Sequence, residues 1–224
     1  MGEWLKVGPP GRRAYLAEPQ GGSGPGVLVL HAWWGLTSTI TDVCDALASE
    51  GYVALAPDLF RDEATATTIA VAEALVASDD NNSDEAEQTV TAALDQLRGL
   101  PSVAGAPVVV MGYSLGAYWA LDISQTRPDD IKAVVVFYGT DGGDYSTASA
   151  AYLCHFAEHD DFEPLESVQA IEEKIRAAGL DLTLHVYPGT GHWFVEPDRT
   201  DAYDAEAAQL AWQRTLAFLN DQLA

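Results

Sequence analysis

Apolar residues along this chain fall into two kinds of block, and the two kinds alternate. Short apolar-rich runs occur at Val27-Leu28-Val29-Leu30, Tyr52 to Ala56, Pro107 to Met111, Ile131 to Tyr138, Ala151 to Phe156 and Leu182 to Tyr187. Runs of this length suit strands buried on both faces of a parallel sheet. Between them apolar residues recur at helical spacing. Ile40, Val43, Cys44 and Leu47 share one face of a helix that Ser38 can cap and Gly51 stops. Leu165, Val168, Ile171 and Ile175 share another, with Pro164 in its first turn, and Ala208, Trp212, Leu216, Leu219 and Leu223 share a third. The stretch from Asp62 to Gly99 has helical composition broken at Asp79-Asp80-Asn81-Asn82, which predicts two helices joined by an acidic turn. Gly21 to Gly26 reads as a surface turn between an early hairpin and the first core strand. The alternation predicts an α/β fold: an open, mostly parallel central sheet with helices on both faces, and ligands gathered at the carboxyl ends of its strands.

Length and charge narrow this picture. A chain of 224 residues suits one domain spanning 1–224 with a sizeable core. Thirty-four acidic residues against eleven basic ones give a net charge of −23, which repels nucleic acid and anionic membrane, so neither is an expected partner. The apolar runs are too short to span a bilayer. Met1 to Lys6 carries no basic region followed by an apolar core, so no signal peptide and a cytoplasmic location are expected. The two cysteines, Cys44 and Cys154, lack metal-ligand spacing and read as buried, reduced packing residues.

Chemistry enters at Gly112-Tyr113-Ser114-Leu115-Gly116. The pentapeptide follows a predicted strand and precedes a predicted helix, the context in which G-x-S-x-G marks a nucleophile elbow. Such a turn holds the serine in a strained conformation and lifts its hydroxyl clear of the sheet. The N–H of Leu115 then lies at a helix N-terminus, suited to a developing oxyanion. The loop His31-Ala32-Trp33-Trp34-Gly35-Leu36 follows the first core strand and can supply the second donor, from Trp33. Trp34, Tyr113, Tyr138 and Trp193 are aromatic candidates for lining a substrate pocket, and Arg61 is a cationic one.

A serine needs a base, because its alkoxide is inaccessible at neutral pH. His155 and His185 sit inside predicted strands as packing residues, and His31 precedes the serine, whereas hydrolases of this kind run serine, acid, histidine. His192, in the glycine-rich loop Pro188-Gly189-Thr190-Gly191-His192, is the expected base. A carboxylate must fix its tautomer. Asp160 is the first choice, with Asp161 beside it and Asp141 after the preceding strand as alternatives.

With these residues placed, the chain resembles the dienelactone hydrolase family from about Val27 to Leu219. The resemblance is carried by His31 to Leu36, Pro57-Asp58-Leu59-Phe60, Gly112 to Gly116, His159-Asp160-Asp161-Phe162-Glu163-Pro164 and Gly191-His192-Trp193-Phe194. It implies a compact α/β-hydrolase fold without a large cap domain, and Asp160 as the triad acid. Members of that family typically carry a cysteine nucleophile and a glutamate just ahead of a W-G or F-G pair; Ser114 and Ala32 stand there in this chain. Losing thiol and glutamate together points to ordinary serine chemistry. The position four after the histidine, where the family has a carboxylate-binding arginine, is Glu196, with Arg61 and Arg199 as possible substitutes. The expectation is a serine hydrolase of small, uncharged carboxylic esters or lactones, working through an acyl-enzyme and without metal or organic cofactor. Thioesters, acetylated sugars and aromatic polyester fragments are alternative substrates, and a ligand-binding homologue without turnover is the alternative from another class.

Overall fold

Continuous burial, rather than alternation, marks the central strands. In the computed structural model, which describes residues 2–8, 11–78, 83–104 and 106–223, β3 (Gly26–Leu30), β4 (Val53–Pro57) and β5 (Val108–Tyr113) are buried at every position. That pattern belongs to parallel strands covered on both faces. The chain divides into two units, Met1–Val110 and Met111–Ala224, and β5 crosses the division.

The first unit opens with the hairpin of β1 (Glu3–Val7) and β2 (Arg12–Ala17), paired antiparallel. β2 pairs antiparallel with β4, and β4 parallel with β3. Helix α1 (Ser38–Ser49) packs on β2 and β4, and α3 (Ser83–Gly99) on β1, β3 and β4, while the short α2 (Ile69–Val76) buries only Ala72. In the second unit β6 (Ile131–Phe137), β7 (Ala151–His159) and β8 (Leu182–Gly191) run parallel, with α4 (Leu115–Thr126) and α6 (Ala205–Leu223) on β6 and α5 (Leu165–Ala177) on β8. Strand order is β1-β2-β4-β3-β5 through the first unit and β5-β6-β7-β8 through the second. This is the mostly parallel sheet the alternation predicts, and no large cap is inserted in it among the described residues.

Several local expectations shift. Ser38 opens α1 instead of capping it; Thr37 holds the cap position in extended backbone, without a side-chain bond. Helix does not start at Asp62. Asp62 and Glu63 take positive φ, and α2 begins only after Thr68, whose hydroxyl accepts the Val71 N–H. The acidic turn Asp79 to Asn82 lies outside the described residues, between α2 and α3. Pro164 is the cap of α5 rather than part of its first turn, and Leu165 beside it is exposed, leaving Val168, Ile171 and Ile175 as the buried stripe. The buried face of α6 is Ala211, Thr215 and Leu219; Leu219 is buried as predicted, whereas Ala208, Trp212, Leu216 and Leu223 are half-buried at its margins and Ala211 and Thr215, one position round, take their place. No helix among the described residues is long and apolar enough to cross a membrane.

Candidate active site

The turn after β5 is built by steric necessity. Ser114 has φ 50° and ψ −111°, a conformation that a non-glycine residue enters only when its surroundings enforce it. A side chain at Gly112 would run into the Gly116 carbonyl and come within 2.6 Å of the Ala117 Cα, so strand and helix approach closely only because this position is bare. Gly139 plays the same part from the end of β6, where a Cβ would lie 2.7 Å from the Ser114 carbonyl oxygen. The Ser114 N–H donates to Phe137 O at 2.9 Å, which ties the turn to the neighbouring strand. Leu115 is the first residue of α4, where N–H groups have no intrahelical acceptor.

The partner residues come from the next two strand ends. β7 and β8 are both longer than their composition suggests: β7 runs on through Ala157, Glu158 and His159, and β8 through Pro188 to Gly191, with His159 paired to Gly191. The predicted glycine loop before His192 is therefore a bulged strand end: pairing passes from Ala157–Tyr187 to His159–Gly191, and inside the bulge the Gly189 N–H donates to the Glu158 carboxylate at 2.8 Å. This register sets Asp160 and His192, the next residues on each strand, side by side. Asp160 Oδ2 lies 2.7 Å from His192 Nδ1, and His192 Nε2 lies 2.9 Å from Ser114 Oγ. Asp160 Oδ1 accepts the N–H groups of Phe162 and Glu163, both at 2.9 Å. A carboxylate so held accepts the Nδ1 proton, which leaves Nε2 free to accept from the Ser114 hydroxyl.

The alternative acids and the other histidines of this unit go elsewhere. Asp161 is exposed, and Asp141 is bound to Gln125 at 2.7 Å and Tyr145 at 2.5 Å. His155 is enclosed by Tyr187 and Thr215, and His185 packs beside it. Tyr113 is buried with its ring stacked on Phe137 at 4.6 Å. Tyr138 and Trp193 are buried too, their rings each 4.8 Å from the His192 imidazole.

Three features escaped sequence reasoning. Phe162, more than two-fifths exposed, sets its ring 5.0 Å from both His192 and Trp193. Its place two residues after Asp160, inside an Asp-capped turn, is the signal that could have found it. Glu163 accepts from the Thr140 N–H and hydroxyl; burial holds its carboxyl above the usual range, against the pull of those bonds and of His192. Glu196 is buried and accepts the Tyr138 hydroxyl at 2.8 Å. Burial, opposed by that bond, pushes its carboxyl up to about 8.

The first unit holds the remaining candidates. Trp33 is half-buried and meets buried Trp34 edge-on at 5.7 Å. Their loop is tied down by the Ala66 N–H, which donates to Trp34 O at 3.0 Å. His31 is buried, with Nδ1 donating to Ala32 O and Nε2 accepting the Leu59 N–H. Arg61 is engaged by Glu85 through two nitrogens, and Arg12 binds the same carboxylate at 2.7 Å. Both cysteines are buried, and burial pushes each thiol well above its ordinary value, as suits inert packing residues. Among the described residues no cluster of His, Cys, Asp and Glu is arranged to hold a metal ion.

Comparison with known proteins adds independent findings. The model of the dienelactone hydrolase family matches residues 12–223. "Protein usf" of Aquifex pyrophilus is 33% identical over 94% of this chain and 94% of its own length. A protein of Aquifex aeolicus named provisionally as a carboxymethylenebutenolidase is 29% identical, again over 94% of each chain. A crystal structure from Klebsiella pneumoniae, named provisionally as a dienelactone hydrolase, covers 97% of both chains at 23% identity, with a TM-score of 0.85.

Proposed function

This chain belongs to the dienelactone hydrolase family, and on that premise we propose that it is a serine hydrolase of small, uncharged carboxylic esters or lactones. The observation that carries the reading is the unbroken hydrogen-bonded line from Ser114 Oγ through His192 to Asp160. Ser114 attacks the ester carbonyl carbon while its proton passes to His192 Nε2. Asp160 stabilises the imidazolium so formed and keeps it oriented. The N–H of Leu115, at the start of α4, receives the oxyanion, a donor of this kind contributing on the order of 10²–10³ in rate. The imidazolium returns its proton to the leaving alkoxide as the carbon–oxygen bond breaks, giving an acyl-serine and an alcohol. Water, deprotonated by His192, then attacks the acyl-serine, and the imidazolium returns that proton to Ser114 Oγ as the acyl–oxygen bond breaks and the carboxylic acid leaves.

The preference for uncharged substrates rests on where the cations are. Glu196 occupies the position of the family's carboxylate-binding arginine, and it is buried. Arg61 has its guanidinium engaged by Glu85. With a net charge of −23 around it, such a site offers little to a substrate bearing its own carboxylate. Phe162 and Trp193, packed on His192, supply an apolar wall for an acyl or alkoxy group.

Hydrolysis of p-nitrophenyl acetate and butyrate by wild type beside Ser114→Ala tests the proposal. Turnover should fall by about 10³-fold or more in the variant. Equal, near-background rates in both proteins would favour a binding role; equal and substantial rates would remove Ser114 from the reaction.

A further inference from the structure

We propose that Glu196 is a positioning residue, holding Tyr138 so that the Tyr138 ring fixes the angle at which His192 faces Ser114. The inference rests on the serine-hydrolase reading above and adds to it a group that touches neither substrate nor reacting atoms. Two left-handed residues, Tyr138 at φ 41° and Trp193 at φ 66°, flank the histidine. Neither is glycine, so each conformation has to be enforced by its surroundings. Around Tyr138, its N–H donates to His155 O at 2.8 Å, its ring meets Phe194 at 5.7 Å, Phe137 at 6.2 Å and Tyr113 at 6.4 Å, and its hydroxyl donates to Glu196 Oε1 at 2.8 Å. The same ring meets the imidazole at 4.8 Å.

Glu196 is anchored on the histidine's own loop. Its N–H donates to Trp193 O at 2.9 Å, closing the turn that follows His192, and its carbonyl accepts the Arg199 N–H at 2.9 Å. The Tyr138–Glu196 bond therefore ties the end of β6 to the loop that carries the base. A buried ionised carboxylate at this point would be costly. Burial opposes that ionisation and pushes the carboxyl up to about 8; Asp198 acts in the same direction, and the Tyr138 bond and Arg199 oppose it. A neutral carboxyl still accepts from the tyrosine hydroxyl, so the tie costs no buried charge.

The test compares Glu196→Ala, Tyr138→Phe and Glu196→Gln with wild type on p-nitrophenyl acetate at pH 7, with the fold monitored by circular dichroism. Glu196→Ala and Tyr138→Phe should lose roughly 10- to 100-fold in kcat with KM within about threefold, since misorientation of a base acts on the chemical step. Glu196→Gln keeps an acceptor of the same shape and should stay within about threefold of wild-type kcat. Full kcat in Glu196→Ala or Tyr138→Phe, or equal damage in Gln and Ala, would overturn the proposal. Tyr138→Phe keeps the buried ring and carries the test if Glu196→Ala does not fold. A fluorophosphonate label separates the two readings. Wild type that labels at Ser114 while Glu196→Ala and Tyr138→Phe label equally fast overturns the positioning role alone. Wild type that neither labels at Ser114 nor turns over ester overturns the hydrolase reading and this one with it.

Discussion

His192 and His155 stand in the same unit, 5% and 0% exposed, and their surroundings make them chemically opposite. His155 lies within β7 with Tyr187 OH on Nδ1 at 2.8 Å and Thr215 Oγ1 on Nε2 at 3.1 Å. Its ring stacks on Phe137, and the nearby charge is of the wrong sign for a base, from His185 and Arg214. Burial first, then those two cations, pushes it down to about 3. His192 instead has the Asp160 carboxylate on one nitrogen and a serine hydroxyl on the other. The difference teaches that a buried histidine without a carboxylate partner is silenced. A carboxylate at Nδ1 offsets the cost of forming an imidazolium inside the protein, and strand register decides which histidine receives one.

The widest gap between the two should appear on substitution to glutamine. His192→Gln should lower kcat on p-nitrophenyl esters by about 10⁴-fold or more, whereas His155→Gln should remain within about threefold of wild type at pH 7, having no contact with Ser114. Comparable losses in both would dissolve the distinction. Asp160→Asn comes next, expected to cost about 10³- to 10⁴-fold, because an amide donating toward Nδ1 favours the tautomer that cannot accept the serine proton. Asp161→Asn, one residue on and exposed, should leave kcat within about twofold. Steady-state kinetics on the two variants side by side checks this, and reversed effects would move the acid to Asp161.

What the sequence reveals and what it conceals follow the same line between local and tertiary causes. The element order is legible, because continuous apolar runs and helical spacing are set by the sheet that buries them. Ser114, His192 and Asp160 are legible as candidates, since the elbow motif is written in neighbouring residues and the order of serine, acid and histidine can be read along the chain. The strand ends are not. Pro188, Gly189 and Gly191 look like a loop, yet the pairing of Gly191 with His159, across a bulge from Tyr187, carries β8 past them. The face of α6 is misjudged by one position, because Ala211 and Thr215 are buried by what they pack against and not by their own hydropathy. Thr215 in particular is held inside by His155. The Tyr138–Glu196 bond joins residues 58 apart in sequence, and neither carries a local sign of the other.

The gentlest way to sharpen the comparison is through stability in acid. A histidine whose pKa falls from 6.5 to about 3 on folding binds its proton more readily when unfolded. Its contribution is present in full above pH 6.5 and is lost as pH falls toward 3, since the unfolded chain gains the proton that the folded one refuses. The groups facing His155 are Tyr187 and His185 from β8 and Thr215 and Arg214 from α6, so protonation would set a third positive charge beside two that can already be charged. Melting temperature should therefore drop more steeply between pH 7 and pH 4 in wild type than in His155→Gln, even though the variant starts lower through its altered hydrogen bonds. Parallel curves would mean that His155 takes up a proton in the fold as easily as outside it. In that case burial would not be what silences it, and the lack of a carboxylate at Nδ1 and of a nucleophile at Nε2 would be what separates it from His192.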